Sequence, residues 1–175
     1  DVLERLLAVT RKLATPFDLT SMLIEVIDAG RAILDADRGS VFLYAPGTDE
    51  LYTTVATGIG EIRFPATRGI VGECAQTRRI VNVPDCYADP RFNRDVDQQS
   101  GYRTRCLLTV PLIGYDDSLV GVLQVLNKHQ GVFTQEDENQ FLEIKSVITQ
   151  ELELILCSID CGPISREDVH GLIAG

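Results

Sequence analysis

Asn127 and Lys128, then Phe133 after a gap of four residues, then Asp137-Glu138 three residues further on, form the most informative spacing in the chain. Lys128 and Asp137 carry opposite charges, and a short connection between them would let them pair. Arg68-Gly69-Ile70-Val71-Gly72 sets two glycines around a helix start, so the amides of Ile70 and Val71 can face an anion. Asn93, Asp97, Ser100 and Thr104 add short hydrogen-bonding side chains. Each group also has a plainer reading. Asp137 can simply complement a helix N-terminus beside a solvated Lys128. Gly69–Gly72 can be an ordinary loop-to-helix junction, and 93–104 an ordinary surface loop.

Covalent and metal chemistry find less support. Cys74, Cys86, Cys106, Cys157 and Cys161 are scattered, odd in number and free of any Cys-x-x-Cys pair, which argues against zinc. Cys157 and Cys161 stand one helical turn apart, and two ligands alone make a poor metal site. Neither Cys74 in a short helix nor Cys106 in a strand has a histidine nearby to lower its pKa. His129 and His170 lie far apart and read as solvated. The expectation is a regulatory domain, not an enzyme, with no metal.

These groups need elements to position them. Leu3, Leu6, Leu7 and Leu13 predict an amphipathic helix over 2–13, interrupted at Thr15-Pro16. A second helix is expected from an Asp18 cap through Leu34, ended by Asp37-Arg38-Gly39. Ser40–Ala45 and Leu51–Ala56 predict a hairpin around Pro46–Asp49. Short extended pieces follow at 62–64 and 80–83, with a short helix from Arg68 to about Thr77 between them. The polar stretch Asp85–Gly101 reads as irregular with one helical turn. Thr104–Ile113 and Leu119–Leu126 predict a second hairpin, and Gln135 to about Leu156 a closing helix with Phe141, Ile144, Ile148, Leu152 and Ile155 on one stripe. Thr134 to Asp137 has the Ser/Thr-x-x-acid form of a helix start, with Thr134 as its cap. Lys128 would then leave a strand end and Asp137 sit in the first helical turn. The class is α+β: one antiparallel sheet of five or six strands, terminal helices on one face and the polar insert on the other.

Composition narrows the partners. The length of 175 residues suits one domain. Sixteen basic against 26 acidic residues give a net charge of −10, which argues against nucleic acid or an anionic membrane as partner. No apolar run has the length of a membrane span, and no signal peptide is legible. Reduced thiols in a cytoplasmic compartment are therefore the default. The chain begins at Asp1 without a Met, which suggests an excerpt from a longer protein.

The spaced set from Asn127 to Glu138 resembles the Asn-Lys/Phe/Asp-Glu signature of GAF domains of the cyclic-nucleotide phosphodiesterase and adenylyl cyclase type. Ser40-Val41-Phe42, Arg68–Gly72, Val81–Asp85 and the stretch from Pro90-Arg91-Phe92 to Gly101–Arg105 are similar as well. The likeness covers roughly Leu19 to Ile155 and implies a single GAF domain over 1–156, with helices at 1–14 and 135–156. Residues 157–175 would be a linker or tail. It also implies a regulatory module that binds cAMP or cGMP and passes occupancy through its terminal helices to an output domain.

Carried over by position, the pocket would use Ser40, Ala56, Thr57, Ile70, Val71, Asn93, Asp97, Ser100, Thr104 and Gln124. The cyclic phosphate would lie on the Ile70 and Val71 amides, and the polar insert would fold over the purine as a lid. Asn127, Lys128, Phe133 and Asp137 would form a structural latch behind the pocket. Ala56 stands where guanine-binding members have a stacking aromatic, Thr57 where they have an acid, and Gln124 where a glutamate is usual. These departures favour cAMP. Bilin and haem lack their Cys-His pair or axial histidine in the lid region, so no cofactor is implied. The alternative is a ligand-free dimerisation scaffold. In either case a homodimer would pair the Leu3/Leu6/Leu13 and Ile144/Ile148/Ile155 stripes across a two-fold.

Overall fold

The computed structural model describes residues 2–5, 19–53 and 62–160. Residues 2–5 are helical. Then come α1 (Leu19–Leu34), β1 (Ala36–Ala45), β2 (Glu50–Thr53), β3 (Ile62–Pro65), α2 (Gly69–Thr77) and β4 (Val81–Val83). A 3-10 turn at Cys86–Ala88, α3 (Asp95–Ser100), β5 (Leu107–Ile113), β6 (Leu119–Lys128) and α4 (Gln135–Asp160) complete the order. The leading helix beyond Arg5, the Thr15-Pro16 break, the Asp18 cap, Ala56, Thr57, Cys161 and His170 lie outside the described residues.

The strands make one six-stranded antiparallel sheet in the order β3-β2-β1-β6-β5-β4. Its centre is the pairing of β1 with β6, where Val41 meets Leu123 and Ser40 meets Gln124. Successive side chains point to opposite faces, so each strand supplies two cores. Val41, Leu43, Leu108, Val110, Leu123 and Val125 meet α1 and α4 on one face. Phe42, Leu107, Val122 and Leu126 meet α2 and the start of the polar insert on the other. Fully burying one such side chain contributes about 1.5–3 kcal/mol, so each helix is held by its stripe. Pro111 is tolerated in β5 because β4 ends opposite Thr109, leaving the strand locally at an edge. The expected α+β sandwich, with terminal helices on one face and the insert on the other, is the observed fold.

Four expectations need correction. Helix α1 ends at Asp35, whose left-handed backbone (φ 52°) turns the chain straight into β1. Aspartate tolerates that conformation, so Asp37-Arg38-Gly39 is strand, not a helix stop. Gly39 is there for clearance, since a Cβ would lie 3.0 Å from Ile27 of α1. Cys106 precedes β5 and is not part of it. Ile144 and Ile148 are buried in the chain's own core, so they are not a free stripe for pairing copies. The closing helix runs four residues further than expected, to Asp160 (160 − 156 = 4).

Candidate functional site

The face of the sheet away from α1 and α4 is not fully filled. Between it, the start of α2 and the insert lies a cavity of about 410 Å³. Ser40 of β1 and Gln124 of β6 form its floor, side by side in the sheet register. Ile70 and Val71 line it from α2. Asn93, Asp97, Ser100 and Thr104 line it from the insert. The fold thus gathers around one space every predicted ligand residue that is described.

The cavity has distinct ends. At α2, Gly69 takes φ +71°, and no side chain caps the helix start. The amides of Gly69, Ile70 and Val71 precede the first helical bond, which Gly72 makes to Arg68 (3.0 Å). Gly72 is required, because a Cβ there would meet the Thr67 backbone at 2.5 Å. The result is a set of open donors at a helix N-terminus, with Arg68 beside them on the cavity wall. On the floor, the Gln124 carbonyl oxygen is buried with no hydrogen-bond partner. Thr109, next to Gln124 in the register, also has an unpartnered buried hydroxyl. An unsatisfied buried acceptor costs about 1–3 kcal/mol, so this floor calls for a donor.

The lid spends much of its polarity on itself. Asp97 is 6 % exposed and accepts from the Thr104 amide (2.7 Å), the Thr104 hydroxyl (2.7 Å) and the Tyr87 hydroxyl (2.8 Å). That bond to Asp97 pushes the Tyr87 hydroxyl pKa above its ordinary value. Ser100 donates to the Val96 carbonyl and accepts from the Tyr102 amide. Asn93 accepts from the Asp95 amide at the start of α3. These side chains fold the lid first and face the cavity second, a division that spacing along the chain does not show.

Two residues absent from the sequence-based set stand out. Arg38 lies with its guanidinium 3.8 Å from the Tyr102 ring centroid, and both line the cavity. Tyr102 donates to Asp37 (2.7 Å), and burial, then that bond, raise its hydroxyl pKa. Arg38 stands two residues before Ser40, on the same face of β1, a place that the helix-stop character of Asp37-Arg38-Gly39 hides in the sequence.

Outside the cavity lining, Lys128 and Asp137 form a charged hydrogen bond. Their side chains are 18 % and 9 % exposed. Asp137 also accepts from the Thr134 amide (2.8 Å), and its own amide donates to the Thr134 hydroxyl (3.2 Å). The carboxylate therefore serves at once as helix cap and as ion-pair partner. Burial alone would raise its pKa, but Lys128 and Thr134 outweigh burial and hold it below the usual value. Phe133 is buried in the core beneath α4, and its carbonyl accepts from Asn82 (3.0 Å). Asn127 sits at φ 54° and uses its whole amide group: it accepts from Arg105 and Cys106 amides and donates to Tyr102 and Arg103.

The cysteines are buried and free at Cys74, Cys86 and Cys106. Burial pushes the Cys74 and Cys86 thiols up to about 12, so they stay protonated near neutral pH. Among the described residues no group of acidic, histidine and cysteine side chains could hold a metal ion. Nor is any described helix long and apolar enough to cross a membrane.

A sequence model of the GAF domain matches residues 18–152. The chain belongs to the GAF domain family. This GAF domain is 36% identical to a probable 3',5'-cyclic phosphodiesterase, pde-5, of Caenorhabditis elegans, over 71% of the chain and 19% of that protein. It is 32% identical to the dual 3',5'-cyclic-AMP and -GMP phosphodiesterase 11A of Takifugu rubripes, over 77% of the chain and 17% of that protein. The chain thus spans under a fifth of the length of either relative. Among solved structures, the GAF domain of a phosphoenolpyruvate-protein phosphotransferase from Coxiella burnetii superposes with a TM-score of 0.76. That pair shares 18% identity over 90% of this chain and 95% of the other, which is a likeness of fold.

Proposed function

We propose that this GAF domain is a regulatory sensor that binds a 3',5'-cyclic nucleotide in the cavity, and that the terminal helices carry occupancy to an output domain. One observation carries the reading: a single cavity with open helix-start amides at one end and an unpartnered amide oxygen on its floor. The volume falls in the range of about 300–1,000 Å³ that holds small ligands. The amides suit one negative charge in an acidic protein, and the floor suits a base with exocyclic donors. The curated relatives, both named as cyclic phosphodiesterases, support the same ligand class.

Cyclic AMP is the favoured ligand. The floor amide Gln124 can pair the N6 and N7 edge of adenine bidentately, a contact known for glutamine with this base. By the resemblance, Thr57 stands where guanine-binding members have the acid that serves guanine. A homodimer through the terminal helices is also proposed, resting on Leu3 and Leu154, which are 59% and 61% exposed. Light scattering of wild type and Leu154→Glu addresses it: a monomeric wild type would reject the dimer.

Thermal unfolding with cAMP, cGMP and AMP tests the sensor. A ligand bound only by the folded state adds about 2.7 kcal/mol at a hundredfold excess over Kd. The melting temperature should rise with cAMP most, with cGMP less and with AMP least. No rise at millimolar concentrations of either cyclic form would reject the proposal.

A further inference from the structure

The lid ends at Gly101, and the segment 102–106 carries the chain from the lid into β5. This segment is bonded along its length to the end of β6, and through Arg105 to the connection between β6 and α4. Tyr102 accepts from the Asn127 side chain (2.8 Å), as does the Arg103 carbonyl (2.8 Å). The Arg105 amide donates to Asn127 (2.6 Å), and the Asn127 amide donates to Cys106 (2.9 Å). The Arg105 guanidinium then reaches past the strand end and donates to the carbonyls of Lys128 and Gly131. Three residues beyond Gly131 is Thr134, the cap of α4. From the other side, the Cys86 amide donates to the Arg105 carbonyl (2.9 Å), closing the base of the lid.

We infer that Arg105, with Asn127 and Tyr102, couples the lid to the start of α4, so that ordering the lid orders the closing helix. The inference deepens the sensor reading and rests on it for its biological meaning. The Lys128 and Asp137 side chains pin β6 to α4, but the bonds of those side chains reach no lid residue. Tyr102 lines the cavity, and the two segments it joins share a dense set of directional bonds. A lid that moves with its exit segment must either break those bonds or shift the 128–134 connection with it. The Asn127 backbone adds rigidity, since its left-handed conformation aims the side chain back at the lid exit. Arg105 is a positioning residue: it is exposed and does not line the cavity.

Hydrogen exchange on the ligand-free domain tests the coupling without assuming any ligand. Arg105→Met keeps the long stem and removes the donors; Tyr102→Phe keeps the ring under Arg38 and removes the hydroxyl. In both variants the amides of 95–105 and of 134–138 should exchange about five- to tenfold faster together, the effect of losing a hydrogen bond. The central β1 and β6 amides should keep their rates. A faster lid with an unchanged helix start would overturn the coupling. Equal acceleration in β1 and β6 would mean a merely structural role and overturn it too. With saturating cAMP, protection in the wild type should extend to 134–138. In Arg105→Met, binding by calorimetry should stay within a few-fold while protection stops at the lid. Protection that still reaches α4 in that variant would overturn the coupling. A wild type that binds no nucleotide would instead reject the sensor reading, with the ligand-free arm still deciding the coupling.

Discussion

Lys128 and Asp137 show how two roles can share one carboxylate. An exposed pair contributes a few tenths of a kcal/mol, but this pair is largely withdrawn from water and its aspartate also caps α4. Removing either partner strands the other, so the losses should not add. A double-mutant cycle with Lys128→Ala and Asp137→Ala should show a coupling of about 1–3 kcal/mol in chemical denaturation. Additive losses would mean that the cap alone matters. The pH dependence follows from the depressed Asp137 pKa. A carboxyl lowered on folding contributes stability that is present above its unfolded pKa of about 3.9 and is lost as pH falls through the folded value. Asp137→Asn should therefore lose stability most at neutral pH and approach the wild type in acid; an equal loss at every pH would contradict this assignment.

Among the elements, α2 is the one whose start the site depends on. Gly72 lets its first turn fold tightly against Thr67. Gly72→Ala should destabilise by about 1–3 kcal/mol, the usual cost of forcing volume into a packed site, with an unchanged denaturant m-value. A loss of a few tenths would show that the turn relaxes freely. Elements of this kind were legible in the sequence: two glycines around an apolar pair, apolar β-branched-rich runs for β1, β5 and β6, and a capping box at Thr134. The end of α1 was not, because Asp35 stops the helix in a conformation that glycine more often takes, and Gly39 serves a close approach instead. For the site, spacing located the lining residues but not their bonds. Asp97 and Thr104 face the cavity, yet they bond chiefly one another. Local sequence carries no sign of that, since it depends on how the lid folds back. The pairing of Asn127 with residues more than twenty positions earlier is invisible for the same reason.

For the molecule as a whole, one sheet separates a packed face from a face with room beside it. Its α1 and α4 face is a continuous core, and its other face leaves room beneath a self-bonded lid. A net charge of −10 means that an anionic ligand would have to be held by local devices, and the proposed one is the set of amides at the start of α2. The helix that leaves the sheet, α4, is tied to β4 by Asn82 and to β6 by Lys128. The most direct test of the central claim is calorimetric titration of wild type and Gln124→Leu with cAMP, cGMP and AMP. The account predicts saturable binding of a cyclic nucleotide by the wild type, tightest for cAMP. Gln124→Leu should weaken it by about tenfold or more while holding or raising stability, because the unpaired buried carbonyl is removed. No heat of binding with either cyclic nucleotide, or full affinity in Gln124→Leu, would contradict the account.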